Sequence, residues 1–266
     1  MESIFRDGLM KDRVAVITGG GSGINQTIAE RFAAQGARVV LVGRTQAKLD
    51  AAAEAIAAAG GTVLGLSADV RDYAALERVM RETRDRFGEI DAVVCGAAGN
   101  FPAPAAALSA NGFKAVVDID LLGTFNTCRA SFEHLRKPGA AVLSISATQG
   151  FTPTPLQAHA CAAKSGIEML TRVLAMEWGS SGVRVNALAP GPVDDTEGMR
   201  RLTPTPEAKQ KLEKQVPLGR YATRAEIAEA ALFLCSPAAA YITGAVLVID
   251  GGQSLLGAGM MFTMGA

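Results

Sequence analysis

The chain has 266 residues, with 26 basic and 26 acidic side chains, 49% hydrophobic residues and only 5% aromatic residues. Zero formal net charge and no block of like charge argue against a nucleic-acid binder or an interaction tail, and no run of about twenty apolar residues suits a membrane span. This size and composition predict one α/β domain covering residues 1–266. The opening MESIFRDGLMKDR lacks the apolar centre of a secretory signal. Cys95, Cys128, Cys161 and Cys235 are isolated from one another and from the two histidines, so metal-ligand spacing is missing and a reducing compartment, the cytoplasm, is expected.

In chain order, Val14 to Ile17 is a short apolar run of the kind that forms a central parallel strand. Gly19, Gly20, Gly21, Ser22 and Gly23 follow, and Ile24, Ile28, Ala29 and Phe32 then recur at helical spacing until Gly36. A second strand, Arg38 to Val42, ends at Gly43 and Arg44. Strand, glycine-rich turn, helix and strand in immediate succession read as a dinucleotide-binding βαβ unit. The turn, with Gly19, Gly21, Ser22, Gly23 and Ile24, would bring backbone N–H groups to a pyrophosphate. An acidic residue after the second strand would favour a ribose 2′-hydroxyl. Arg44 favours a 2′-phosphate, hence NADP(H), with a merely solvated arginine as the other reading.

The remaining elements alternate. Ala47 to Ala59 is helical, Thr62 to Leu66 a strand, Tyr73 to Phe87 an amphipathic helix and Asp91 to Cys95 a strand. Phe113 to Leu135 reads as one long helix, Ala141 to Ile145 as a strand, Cys161 to Trp178 as a helix, and Val183 to Leu188 and Val246 to Ile249 as strands. This alternation predicts a doubly wound parallel sheet in three α/β/α layers, a Rossmann fold. Asp69 and Val70 follow the third strand, and Ala97, Ala98 and Gly99 the fourth, at carboxyl ends where ligands of such sheets gather. Residues 190–217, rich in proline, glycine and charge, are too long for an ordinary connection and read as a substrate lid. Arg200, Arg201, Lys209, Lys211 and Lys214 make this segment basic, either as a solvated helix face or as a landing site for a phosphorylated substrate.

TGGGSGI at residues 18–24, Asp69, AAG at 97–99, Lys164 early in a helix, RVNALAPGP at 184–192 and ITGAVLVIDGG at 242–252 together resemble the short-chain dehydrogenase/reductase family, over roughly residues 10 to 255. That resemblance implies a nicotinamide cofactor and commonly a homotetramer. It also implies a Ser, Tyr and Lys acting on a carbonyl oxygen. Only Lys164 is present: Ala160 stands in the Tyr position and Ala147 in the Ser position. His159 and Ser146 are each one position off, and on a helix one residue turns a side chain about 100° from the reactive face. His159 is therefore expected to line the pocket and not to replace the tyrosine.

AAGNF at residues 97–101, DID at 118–120, SISATQG at 144–150, the segment from His159 to Lys164 and APGPVDDTEGMRRL at 189–202 resemble 2,4-dienoyl-CoA reductases, the peroxisomal type in particular. Those enzymes add hydride to the far end of a conjugated thioester and protonate a dienolate, which requires no tyrosine. The resemblance implies that Asp120 supplies or relays the proton, the alternative being an inert buried carboxylate. Asp118, two residues away on a helix, cannot share its face. Lys164 would hold the nicotinamide ribose hydroxyls and stabilise the dienolate charge. Pro190, Gly191, Val193 and Thr196 would pass the nicotinamide. Asn100, Phe101, Ala147 and His159 would line the acyl pocket, and Arg200 and Arg201 would meet coenzyme A phosphates.

Three positions depart from the pattern. Asn25 replaces the last glycine of TGxxxGxG, and Cys95 and Gly96 replace two polar residues, so fewer cofactor contacts are expected. The terminal GAGMMFTMGA is not an SKL-type address, and its apolar side chains are expected against a neighbouring subunit. Fold and cofactor motif leave two other functions open: reduction of another carbonyl or activated alkene, and a non-catalytic nucleotide-binding scaffold.

Overall fold

The computed structural model describes residues 4–256. The terminal GAGMMFTMGA segment and its expected subunit contact lie outside the described residues.

Seven parallel strands form one sheet: β1 (Val14–Thr18), β2 (Arg38–Gly43), β3 (Thr62–Ser67), β4 (Ala92–Cys95), β5 (Ala141–Ile145), β6 (Arg184–Pro190) and β7 (Val246–Ile249), in the order β3-β2-β1-β4-β5-β6-β7. Alternate residues of the central strands feed two cores. Ala15, Ile17, Val39, Leu41, Val94 and Leu143 pack in one, with Ile28 and Phe32 of α1 (Gly23–Ala34), Leu49 and Ile56 of α2 (Gln46–Ala58), and Ile227 and Leu232 of α9 (Arg224–Cys235). Val14, Val16, Val40, Val42, Val93 and Val142 pack in the other, with Leu76 and Met80 of α3 (Tyr73–Phe87), Cys128 of α5 (Gly123–Ser131) and Leu174 of α6 (Ala158–Trp178). Both faces are covered, which is why these strands read as continuous apolar runs and not as alternating ones. The predicted three-layer, doubly wound sheet is the observed one.

The long helix expected from Phe113 to Leu135 begins earlier and is not uniform. Ser109 caps α4 (Ala110–Val117) by accepting a hydrogen bond from Gly112 N, and a π-turn, Asp118–Leu122, joins it to α5. A Cβ on Gly123 would lie 2.5 Å from the Val70 side chain, so this glycine lets the chain pass close to the loop after β3. Helix α6 starts three residues before the expected Cys161, and β6 runs on to Pro190. Residues 190–217 contain α7 (Glu197–Leu202) and α8 (Pro206–Glu213).

At the amino-terminal end of the sheet, the buried Asp91 carboxylate accepts from Val14 N at 2.9 Å and from Arg136 Nε at 2.6 Å. This clamps the bottoms of β1 and β4 together.

Helix α9 has no counterpart in the expected elements, although its start was readable. Thr223 and Glu226 form a reciprocal capping box, with Glu226 N donating to Thr223 Oγ1 and Thr223 N donating to Glu226 Oε2. The Arg220 guanidinium hydrogen-bonds Glu226 and, against partial burial, pulls its carboxyl down from 4.5 to about 2. A carboxyl depressed in the folded state stabilises the fold above its unfolded pKa and loses that contribution as pH falls through its folded value. Glu226→Gln should therefore cost about 1–2 kcal/mol at neutral pH, allowing for partial exposure. In denaturant unfolding that cost should vanish between about 4.5 and about 2. A cost that is constant with pH would show that the ion pair contributes nothing.

Candidate active site

Strand order reverses between β1 and its two neighbours, β2 and β4. At that switch point, outside the carboxyl ends of the strands, lies a cleft of about 450 Å³. One wall is the glycine turn after β1. Gly19 has φ +72°, and a Cβ there would come within 3.1 Å of the Ala97 backbone across the cleft. Gly23 opens α1, whose N-cap, Ser22, makes no side-chain capping bond, leaving first-turn N–H groups for an anion. The facing wall is Gly96, Ala97 and Ala98. Thr18 ties the walls together by donating to Val94 O at 3.3 Å and accepting from Gly96 N at 3.1 Å.

At the end of β2, Gly43, Arg44, Thr45 and Lys48 line the cleft, and neither Arg44 nor Lys48 joins an ion pair among the described residues. Asp69 also lines the cleft, but its carboxylate is bidentate to Arg71, at 3.0 and 2.6 Å. The hydrogen bond from Arg71 holds Asp69 below the usual carboxylate range. The basic corner therefore faces an acid that already has its partner. Lys48 and Thr45 were missed in the sequence, although Thr45 directly follows Arg44 as the N-cap of α2 and Lys48 stands in that helix's first turn.

At the other end of the cleft, Ile145, Ser146, Ala147 and Lys164 meet Ile119. The buried Asp120 carboxylate accepts from Gly99 N at 2.7 Å through Oδ1 and pairs with Lys164 Nζ at 3.1 Å through Oδ2. Lys164 Nζ also donates to Ile145 O at 3.0 Å. Two of the three ammonium donors are thus engaged and one is left for a ligand. Asp118, by contrast, turns to Lys114 on the outer side of the helix. The π-turn that carries both acids separates them, and such turns are frequent at functional sites.

The cleft gathers Gly19, Gly21, Ser22, Gly23, Ile24, Arg44, Asp69, Val70, Ala97, Ala98, Ala147, Lys164 and Thr196, all expected there. Other expected residues stand off its wall. Gly99 contributes through its N–H to Asp120. Pro190 and Val193 are buried, and Gly191 packs against Asp250. His159, expected to line the pocket, is fully buried. Its Nδ1 accepts from Ala160 N at 2.9 Å, and its ring meets the Phe101 ring edge-on at 4.6 Å. Asn100 donates to Gln157 Oε1 at 2.8 Å, which ties its loop to the start of α6. Arg200 pairs with Asp195 at 2.8 Å and Arg201 with Glu197, so both lid arginines have acidic partners and neither lines the cleft. Ser146, one position from the alanine at 147, does line it, and donates to the buried Glu168 at 2.9 Å.

A glycine cradle on a helix start, two unpaired cations at the end of β2 and a lysine across the sheet fit a nicotinamide dinucleotide. Together with the strand order they define a Rossmann-type oxidoreductase. The family model described as enoyl-(acyl carrier protein) reductase matches residues 19–254, and the chain belongs to the short-chain dehydrogenase/reductase family. Among curated relatives, it is 46% identical to the peroxisomal 2,4-dienoyl-CoA reductase of Rattus norvegicus, over 94% of this chain and 86% of the relative. The corresponding Saccharomyces cerevisiae protein is 42% identical, over 96% and 89%. Among solved structures, a citronellol catabolism dehydrogenase of Pseudomonas aeruginosa superposes with a TM-score of 0.85 at 38% identity, covering 96% of this chain and all (100%) of that one.

Proposed function

We propose that the protein reduces 2,4-dienoyl-CoA thioesters with NADP(H), in unsaturated fatty-acid oxidation. The observation that carries this reading is the Asp120–Lys164 pair at the cleft, in a site where Ala147 and Ala160 provide no hydroxyl. Protonating an alkoxide calls for such a hydroxyl, and protonating a dienolate carbon does not. The names of the rat and yeast relatives support the substrate class.

A bound nicotinamide supplies the hydride. Gly19, Gly21, Ser22, Gly23 and Ile24 would hold the pyrophosphate, and Arg44 and Lys48 the 2′-phosphate that distinguishes NADP(H) from NAD(H). Lys164 would use its remaining donor on the ribose or on the negative charge spread over the thioester oxygen. Asp120 does not itself line the cleft, and its carboxylate accepts from Gly99 N and pairs with Lys164. The proton for the carbon nearer the carbonyl would therefore leave the Lys164 ammonium by way of a water. Asp120 would hold Lys164 in place and relay the replacement proton to it. Hydride and proton together turn the diene into a single alkene. The loop of Asn100 and Phe101, held by Gln157 and His159, would wall the acyl chain, with residues 190–217 closing over it as a lid.

A homotetramer is part of the proposal. Met169, Val173 and Met176 expose one apolar stripe of α6, and Leu247 and Val248 are exposed on the edge strand β7. No helix among the described residues is long and apolar enough to cross a membrane. The composition favours the cytoplasm, whereas the rat and yeast relatives are peroxisomal by name.

The direct test is loss of NADPH absorbance on adding 2,4-hexadienoyl-CoA to the purified protein, with sorbic acid, a simple ketone and an enoyl-CoA as controls. Thioester-dependent turnover is expected. Turnover on the ketone alone would replace the reading with a carbonyl reductase, and nucleotide binding without turnover on any of them would point to a scaffold.

A further inference from the structure

Asn25 stands in the first turn of α1 where the family pattern has glycine, and was expected to thin the cofactor site. The structure turns its side chain across the gap to β4. Nδ2 donates to Gly96 O at 2.8 Å, and Oδ1 is buried with no hydrogen-bond partner among the described residues. A Cβ on Gly96 would lie 2.1 Å from Asn25 Oδ1, 2.4 Å from Cγ and 2.6 Å from Nδ2. A Cβ on Gly19 would lie 2.9 Å from the same Nδ2. Any side chain at 96 would therefore occupy the volume the Asn25 amide already fills. The two departures, a side chain gained at 25 and one lost at 96, are one exchange across the same gap.

We propose that Asn25 is a positioning residue for the dinucleotide: its amide, seated between the backbones of Gly19 and Gly96, sets the spacing of the two walls of the cleft. The inference rests on the nicotinamide-nucleotide reading above. An acceptor left buried and unpaired is unfavourable for the fold. What the amide does favourably is grip the Gly96 carbonyl, on a wall that a ligand must meet. Asn25 is thus a feature that serves the site at the expense of local stability, and Gly96 is the residue that makes room for it.

The test is a transposition cycle read by NADPH fluorescence titration and thermal unfolding of the full chain. Asn25→Ala, which keeps the helix, and Asn25→Gly should each weaken NADPH binding about five- to tenfold, the worth of one lost hydrogen bond. Asn25→Ala should leave the melting temperature unchanged or raised. Gly96→Asn alone should weaken binding further, through overlap with Asn25. Asn25→Gly combined with Gly96→Asn should return affinity to within about twofold of wild type, because the amide is then supplied from the other wall. Wild-type affinity in Asn25→Ala and Asn25→Gly would overturn the inference, as would a double variant no better than Gly96→Asn. If the unaltered protein bound neither NADPH nor NADH, the underlying nucleotide reading would fall, and this inference with it.

Discussion

Asp120→Ala and Asp120→Asn are each expected to lower turnover of a 2,4-dienoyl-CoA by about 10²- to 10⁴-fold, the usual worth of a positioned acid–base group. Asp120→Ala also strands Lys164 beside an empty space, and breaking such a buried pair costs about 3–5 kcal/mol of stability. Asp120→Asn keeps the volume and an oxygen for Gly99 N but turns an NH2 toward the Lys164 ammonium, so it too breaks the ion pair, and thermal unfolding of both variants is needed to separate chemistry from folding. NADPH affinity should hold in Asp120→Asn, whereas Lys164→Ala should lose affinity as well as turnover, because its free donor is the one that reaches a ligand. Single-turnover kinetics with dienoyl-CoA, paired with nucleotide titration, reads both quantities. Near-normal turnover in Asp120→Asn would remove the carboxylate from the mechanism and leave proton delivery to Lys164 and water.

The second large effect concerns the choice of nucleotide. Each charge-assisted hydrogen bond to a phosphate is worth about 1.5–3 kcal/mol, so Arg44→Ala and Lys48→Ala should each weaken NADPH by roughly 10- to 150-fold. NADH, which has no 2′-phosphate, should bind the variants nearly as it binds the unaltered protein. The pairing of Asp69 with Arg71 matters to this outcome: a free carboxylate at that wall would repel the phosphate, and an engaged one opposes it less. Raised salt should narrow the gap between the two nucleotides, since an exposed ionic contact is screened. Equal loss of NADH and NADPH in Arg44→Ala would mean that the arginine shapes the turn after β2 and does not read the phosphate.

What was legible in the sequence was local. The βαβ unit was readable because apolar runs, glycines and helical spacing all lie within one stretch, and helix Tyr73–Phe87 and strands Ala141–Ile145 and Val246–Ile249 were found with their observed bounds. The break in the long helix was not readable, because the π-turn goes with contacts made far along the chain: Gly123 against Val70, and Asp120 with Gly99 and Lys164. His159 was expected at the pocket because it precedes the Tyr position, yet a fully buried ring against Phe101 follows from a loop whose path only the tertiary structure shows. The engagement of Arg201 was readable in principle, since Glu197 lies four residues earlier on one helix face. Asn25 was visible as an anomaly and Gly96 as another; that they answer each other required coordinates.

Strand β4 passes between two regimes. At its foot the Asp91 carboxylate locks the bottom of the sheet, and at its head Gly96 faces the cleft. A lesion at the foot should be paid in folded protein and a lesion at the head in affinity, although the two residues flank one four-residue strand. Hydrogen exchange would register this as a gradient: amides near Asp91 released only when the whole molecule opens, and amides beyond Cys95 released sooner and slowed by nucleotide. The protein thus has a fixed base beneath an adjustable mouth, and a side chain can be exchanged at the mouth, as between residues 25 and 96, without putting the base at risk.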